Sequence, residues 1–291
     1  MRAFLLALLL AWPAAVEAAP LKVVASFSII GDFAAAIGGE DIALTVLVGP
    51  GGDAHAYQPR PADAAALAKA DLVLINGFGF EGWVDRLVAA SGYRGPLVLV
   101  AEDAVRKPLA GNLVDPHAWQ DARRAKAYVR TIAAALAAAD PAHADAYAAR
   151  ADAYVQALDG LDAQIRAWFA AVPAERRRVV TAHDSFAYFA VAYGVEVRAP
   201  QGLGAEAEPS ARRVAQLIRQ VRDEKISAVF IESVRNPRLV RQIAEETGAT
   251  VAGPLYADSL SPPDGPAATY LDLMRHNARL LAEAMAAGGG R

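Results

Sequence analysis

The 291-residue sequence predicts an α/β protein of two lobes, each a parallel sheet of about four strands flanked by helices, joined by one long rigid helix. Three observations carry that expectation. Strand-like runs alternate with helical runs along both halves, the pattern of parallel sheets covered on both faces. Between the halves, residues 141–171 form one run with apolar residues at helical spacing: Tyr147, Tyr154, Leu158, Leu161, Ile165, Trp168 and Phe169. Asp140 and Pro141 stand before it as N-cap and first helical residue, and at about 1.5 Å per residue the helix would be roughly 46 Å long. Finally, loops that follow strands in both halves carry histidines, and such sheets bind ligands just past the carboxyl ends of their strands. The expected organisation is a leader over 1–18, a first lobe over 19–140, the joining helix over 141–171 and a second lobe over 172–291.

In the first half, 22–27 is a strand and a helix follows to Ile37, where Gly38 and Gly39 stop it. A strand over 42–48 leads into the loop Gly49 to Pro59. Residues 61–70 are an alanine-rich helix, 71–76 a strand, 82–90 a helix and 96–101 a strand. After a loop ending at Asp115-Pro116-His117-Ala118-Trp119, a helix over 121–139 closes this half. The second half opens with a strand over 178–181, then a helix over 186–193 and a short strand over 195–197. Ser210 is an N-cap for a helix over 211–223. A strand over 226–232, a helix over 237–247 stopped by Gly248, and a strand over 250–252 follow. The last helix covers 270–287, and 288–291 is a frayed end.

Composition excludes several classes. Hydrophobic residues make up 55% of the chain, enough for a sizeable core, and the net charge of −3 offers no nucleic acid a basic surface. Arg123-Arg124 and Arg176-Arg177-Arg178 read as solvated helix ends. Arg2 followed by an apolar run too short to span a bilayer, with Val16-Glu17-Ala18 after it, reads as a secretory signal peptide cut after Ala18 or Ala19. The absence of cysteine removes disulfides and a cysteine-linked lipid anchor, so a free periplasmic protein is expected.

The chain holds five histidines. His143 and His276 fall on helix faces, where an ordinary surface or packing role is expected. His55, His117 and His183 each sit in a loop after a strand, and Asp258 lies in a fourth such loop. Three imidazoles and a carboxylate make a closed tetrahedral shell suited to Zn²⁺. Ligands of this kind are usually held by outer carboxylates, for which Asp53, Asp115, Glu206, Glu208 and Glu232 are available. Gly77-Phe78-Gly79-Phe80-Glu81-Gly82 matches G-x-G-x-x-G, with Glu102 downstream. However, it is not the first strand-to-helix turn, and its aromatic residues would crowd a pyrophosphate. It is expected to be a tight turn with Trp83 in the core. No His-Glu-x-x-His pair is present, and the contiguous His183-Asp184-Ser185 lacks a nucleophile-elbow context.

These stretches resemble the solute-binding proteins of metal-importing ABC transporters, the periplasmic zinc/manganese receptors of the cluster A-I type. The resemblance rests on Asp53-Ala54-His55-Ala56-Tyr57-Gln58-Pro59, Asn76 to Trp83, Asp115-Pro116-His117-Ala118-Trp119, Thr181 to Phe189, Gln201-Gly202-Leu203 and Leu255 to Leu260, in family order across the mature chain. It implies two lobes joined by a helix, with the metal ligated at their interface by His55, His117, His183 and Asp258. Histidine at the third ligand position implies a zinc-type member, with Mn²⁺ or Fe²⁺ as the alternative cargo. A membrane permease is the implied partner, a periplasmic metallochaperone a further one, and the chain a monomer. A rigid joining helix implies that capture and release depend on loop movement near the ligands. No catalysis is implied; a secreted zinc hydrolase would need an open coordination position and a general base. Two departures stand out. Residues 102–115 hold no histidine-rich metal-gathering loop, and Ala54 replaces a usual proline, which frees that loop from a constraint.

Overall fold

A computed structural model describes residues 19–105, 114–203 and 209–287. The leader expected over 1–18, the greater part of the 102–115 loop, Glu206, Glu208 and the tail 288–291 lie outside the described residues. The first lobe runs β1 (Leu21–Phe27), α1 (Ser28–Gly38), β2 (Ile42–Val48), α2 (Pro61–Leu67), β3 (Leu72–Ile75), α3 (Val84–Ser91), β4 (Leu97–Leu99) and α4 (Ala122–Ala139). The long helix is α5 (Ala144–Ala170). The second lobe runs β5 (Arg178–Val180), α6 (Ala187–Tyr193), β6 (Glu196–Arg198), α7 (Ala211–Asp223), β7 (Ala228–Glu232), α8 (Arg238–Thr247), β8 (Thr250–Leu255) and α9 (Tyr270–Ala287).

The two sheets are four-stranded and wholly parallel, with matching orders β2-β1-β3-β4 and β6-β5-β7-β8. Each therefore has its switch point beside its first strand, β1 or β5, and the crevice there opens past the strands' carboxyl ends. Central strands are buried on both faces: β3 is buried at every residue, and β1 from Val23 onward. Local chemistry sets the helix ends. Asp121 accepts from Arg123 N at the start of α4, Ser210 accepts from Arg213 N at the start of α7, and left-handed Gly248 (φ 76°) closes α8.

The long helix differs from expectation at its start. Pro141–His143 is a 3₁₀ turn, and the α-helix proper covers 27 residues, about 40 Å. Asp140 does not cap a backbone N–H with its side chain. Its carboxylate instead pairs with His143 Nδ1 at 2.6 Å and accepts from Tyr147 OH at 2.8 Å. Tyr147, Ala151, Leu158, Leu161, Ile165 and Phe169 form the buried stripe of α5. Arginines tie the helix at both ends: Arg150 Nη1 donates to the last carbonyls of α1 (Ile37, Gly38), and Arg166 Nη1 to Ala192 O near the end of α6. One continuous core links the first sheet, α4, α5, α9, α6 through Phe189 and one face of the second sheet through Val179 and Phe230; a smaller cluster, with Leu217, Val229 and Ile243, lies under α7 and α8. Among the described residues no helix is long and apolar enough to cross a membrane.

Candidate metal centre

Each expected ligand is mounted by its own short-range chemistry. After β2, Asp53 Oδ1 accepts from the backbone N–H of His55 (2.9 Å) and Ala56 (3.3 Å), an Asx turn that aims the histidine inward. Trp83, a core residue as expected, donates its indole N–H to Ala54 O at 2.7 Å. The loop is thus tied even without proline at position 54. His117 repeats the device: Asp115 Oδ1 accepts from its backbone N–H at 2.9 Å and contacts its Nδ1 at 2.8 Å. His183 follows β5, and Glu232, the last residue of β7, serves it with both oxygens. Oε1 accepts from Ala182 N (2.9 Å) and His183 N (3.1 Å), and Oε2 lies 2.5 Å from Nδ1.

Asp258 follows β8, yet its segment is hung on the first lobe. Ala257 O accepts from Trp119 Nε1 and Gln120 Nε2, both at 3.0 Å. Leu260 N donates to Ser28 Oγ, and Gly51 N to Ser259 Oγ and Leu260 O. His183 is thus supported from the second sheet alone, while Asp258 is held from both sides, by these first-lobe bonds and by Arg235 beyond β7.

The four side chains converge, with one ligand atom from each lying within 4.8 Å of all the others. His55 Nε2 lies 3.3 Å from His117 Nε2 and 3.7 Å from Asp258 Oδ2; His117 Nε2 is 3.5 Å from Asp258 Oδ1, and His183 Nε2 is 3.0 Å from Asp258 Oδ2. Bonds of about 2.0–2.1 Å to a tetrahedral ion give edges of roughly 3.3 Å, and with Oδ2 as the aspartate vertex the three edges of 3.0, 3.3 and 3.7 Å bracket that length. His183 Nε2 and Asp258 Oδ1 are buried without a hydrogen bond. Buried polar atoms without hydrogen bonds cost stability unless something else satisfies them, so the donor set fits a cation. The carboxylates at Nδ1 of His117 and His183 leave Nε2 of each ring facing the centre.

Electrostatics separates the histidines. Burial holds His55 down at about 3, against the opposing pull of Asp258, so its imidazole is neutral. Burial would also lower His183, but Glu232 and Asp258 together outweigh it and push it up to about 10. Burial likewise opposes ionisation of Asp258, and the surrounding histidines, His183 foremost, overcome it and keep the carboxyl well below its usual range. The two rings are spread far apart because carboxylates outweigh burial at His183, whereas burial outweighs the single pull of Asp258 at His55.

Of the outer carboxylates offered by the sequence, Asp115 and Glu232 reach ligand imidazoles, while Asp53 reaches the backbone of His55. Residues that sequence reasoning missed complete the centre. Phe80 packs edge-on against His55 (4.4 Å between centroids) and against His117 (5.8 Å). Arg235 spans Asp53 and Asp258, donating at 2.7 and 2.9 Å. His183-Asp184-Ser185 forms no catalytic relay, because His183 faces Glu232 and Asp258 and the buried Ser185 hydroxyl has no partner.

The glycine motif is a turn, as expected. Gly77, Phe78 and Gly79 have φ of 87°, 56° and 79°, a left-handed run that delivers Phe80 into the core. The backbone N–H groups of Asn76 and Gly77, which a phosphate would need, donate to buried Glu81, as does Ser26 Oγ at 2.6 Å. Glu81→Ala strands these buried donors. The variant is expected to lose about 3 kcal/mol of stability, read as a lowered midpoint in thermal unfolding of the metal-free protein.

Comparison with known proteins agrees with this geometry. The family described as "Zinc-uptake complex component A periplasmic" (ZnuA) matches residues 23–284. The "Iron-binding protein YfeA" of Yersinia pestis is 35% identical over 256 residues, covering 87% of this chain and 82% of that protein. The "Manganese-binding lipoprotein MntA" of Halalkalibacterium halodurans is 33% identical over 258 residues, covering 88% and 86%. The structure of the periplasmic zinc-binding protein TroA of Treponema pallidum superposes with a TM-score of 0.88 at 31% identity, covering 92% of this chain and all of that one. A helix-linked pair of parallel sheets, a buried His₃Asp cluster between them and a family match over nearly the whole described chain lead to one assignment: the protein belongs to the ZnuA family of periplasmic metal-binding proteins of ABC transporters, a family of transport receptors rather than enzymes.

Proposed function

We propose that His55, His117, His183 and Asp258 together bind one divalent cation as cargo, that the preferred cargo is Zn²⁺, and that the chain delivers it in the periplasm to the permease of an ABC importer. The single observation that supports this most strongly is the convergence of three imidazoles and one carboxylate within 4.8 Å. Three nitrogen ligands favour zinc over harder ions, and edge lengths near those of a tetrahedron agree. In this reading the secretory leader is residues 1–18, and the lobes are 19–140 and 172–291, with 141–171 between them. The protein acts as a monomer, and a periplasmic metallochaperone is a further partner. Four protein ligands leave no open position for a hydrolytic water.

The iron- and manganese-binding names of two relatives favour a second reading with those ions as cargo. Competition titration of metal-free protein with equal Zn²⁺, Mn²⁺ and Fe²⁺, followed by elemental analysis, separates them. Zinc is expected to fill the site stoichiometrically; manganese or iron retained in its place would establish the second reading.

A further inference from the structure

Among the described residues, Arg235 is the one cation in contact with Asp258 that is not itself a ligand candidate, and its surroundings are specific. Its side chain is 5% exposed, and it lies one turn beyond Glu232, whose carbonyl accepts from Arg235 N at 3.3 Å. A single Glu-x-x-Arg turn at the end of β7 thus governs two ligands: Glu232 holds His183, and Arg235 holds Asp258. Nη1 is anchored on Asp53 Oδ2 at 2.7 Å, and Asp53 Oδ1 is the acceptor that orients His55. Nη2 donates to Asp258 Oδ2 at 2.9 Å. The other oxygen, Oδ1, is buried and accepts no hydrogen bond. Both oxygens face the centre, Oδ2 towards His183 and His55 Nε2 (3.0 and 3.7 Å) and Oδ1 towards His117 Nε2 (3.5 Å), but only Oδ2 carries a guanidinium, so the carboxylate is held asymmetrically.

We infer that Arg235 sets the metal preference of the centre, by tethering Oδ2 so that Asp258 meets a cation through one oxygen rather than through both. The inference rests on the function proposed above. A carboxylate that gives one oxygen, beside three imidazoles, makes four ligands in all, which satisfies Zn²⁺. Mn²⁺ favours octahedral, oxygen-rich shells, and a second oxygen from Asp258 is the nearest one the site could supply. The guanidinium's anchor on Asp53 prevents it from swinging away without also disturbing the His55 turn. Arg235 is thus a positioning residue: it touches the carboxylate, not the cargo, and it selects among ions by limiting the number of bonds they can make.

The test compares Zn²⁺ and Mn²⁺ affinities of the full mature protein and of Arg235→Met by competition calorimetry in one buffer. Removing the guanidinium frees Oδ2, so the Mn²⁺ to Zn²⁺ ratio of dissociation constants is expected to fall by about tenfold or more. A merely structural role would weaken both ions together and leave the ratio unchanged; that result would overturn the inference. Should Arg235→Met fold poorly, Asp53→Asn provides the second arm. It keeps a carbonyl for His55 N and releases the anchor of Arg235, so the ratio is expected to fall in the same direction by a smaller factor; an unchanged ratio there also overturns the inference. X-ray absorption of zinc-loaded Arg235→Met is expected to show one oxygen more than wild type. Wild-type protein that binds neither ion would overturn the underlying function, a failure distinct from one in which wild type binds and only the ratio is unmoved.

Discussion

Replacing His183 with alanine is expected to weaken zinc binding on the order of 100-fold, about 3 kcal/mol, if four ligands share equally the roughly 10–16 kcal/mol of a structural zinc site. The loss should exceed that of the other histidines for a structural reason. His183 is the ligand carried by the second sheet through Glu232, whereas the Asp258 segment is bonded to Trp119, Gln120, Ser28 and Gly51 of the first lobe. Without the imidazole, the cation keeps only Asp258, itself bonded largely to the first lobe, as its link to the second sheet. Alanine also leaves Glu232 and Asp258 buried without the cation that His183 provides, which destabilises the metal-free protein. Affinity should therefore be measured by calorimetry below the unfolding range. Affinity within a few fold of wild type would remove His183 from the site.

Metal binding is expected to release about one proton at neutral pH, with affinity rising about tenfold per pH unit from roughly 6 to 9. The sign follows from His183. Glu232 and Asp258 hold it protonated up to about 10 in the metal-free protein, and a cation can use Nε2 only once that proton has left. His55, held near 3 by burial, is already neutral and releases nothing. The same shift acts on stability in the opposite sense: a histidine raised above its unfolded value stabilises the metal-free fold below about 6.5, and that stabilisation is lost as pH rises towards about 10. Calorimetry at one pH in two buffers of different ionisation enthalpy counts the protons. Glu232→Gln, which removes the nearer carboxylate, is expected to bring the count towards zero. A wild-type count of zero would show that His183 is neutral before the metal arrives.

Much of this architecture can be read from the chain, and the misses have physical causes. Strand–helix alternation gave both sheets because β1, β3, β5 and β7 are short apolar runs bounded by turns, and the helix over Ala211–Asp223 was placed to the residue by its Ser210 cap. Asp140 and Pro141 stand as cap position and first helical residue, as the sequence predicts, but of a 3₁₀ turn that leads into the long helix; the partners of the Asp140 carboxylate, His143 and Tyr147, are visible only once that turn is built. Histidines in loops after strands, and an aspartate in another, pointed to the centre because ligand sites collect at those strand ends. Arg235 gave no such signal: in Ser-Val-Arg-Asn-Pro it looks like a solvated loop charge, and its meaning lies in carboxylates 182 and 23 residues away. Glu81 was hidden inside a nucleotide-like glycine pattern, where the acid fills the role of the missing phosphate. The attachment of the Asp258 segment to the first lobe is equally unreadable, since it pairs backbone groups such as Ala257 O and Leu260 N with side chains of Trp119, Gln120 and Ser28 far away along the chain.

Anomalous diffraction from crystals of zinc-loaded protein, recorded on both sides of the zinc edge, tests the central claim most directly. The account predicts one strong peak, about 2.0–2.2 Å from Nε2 of His55, His117 and His183 and from one oxygen of Asp258. A peak elsewhere, or a shell that omits either His183 or Asp258, would contradict it.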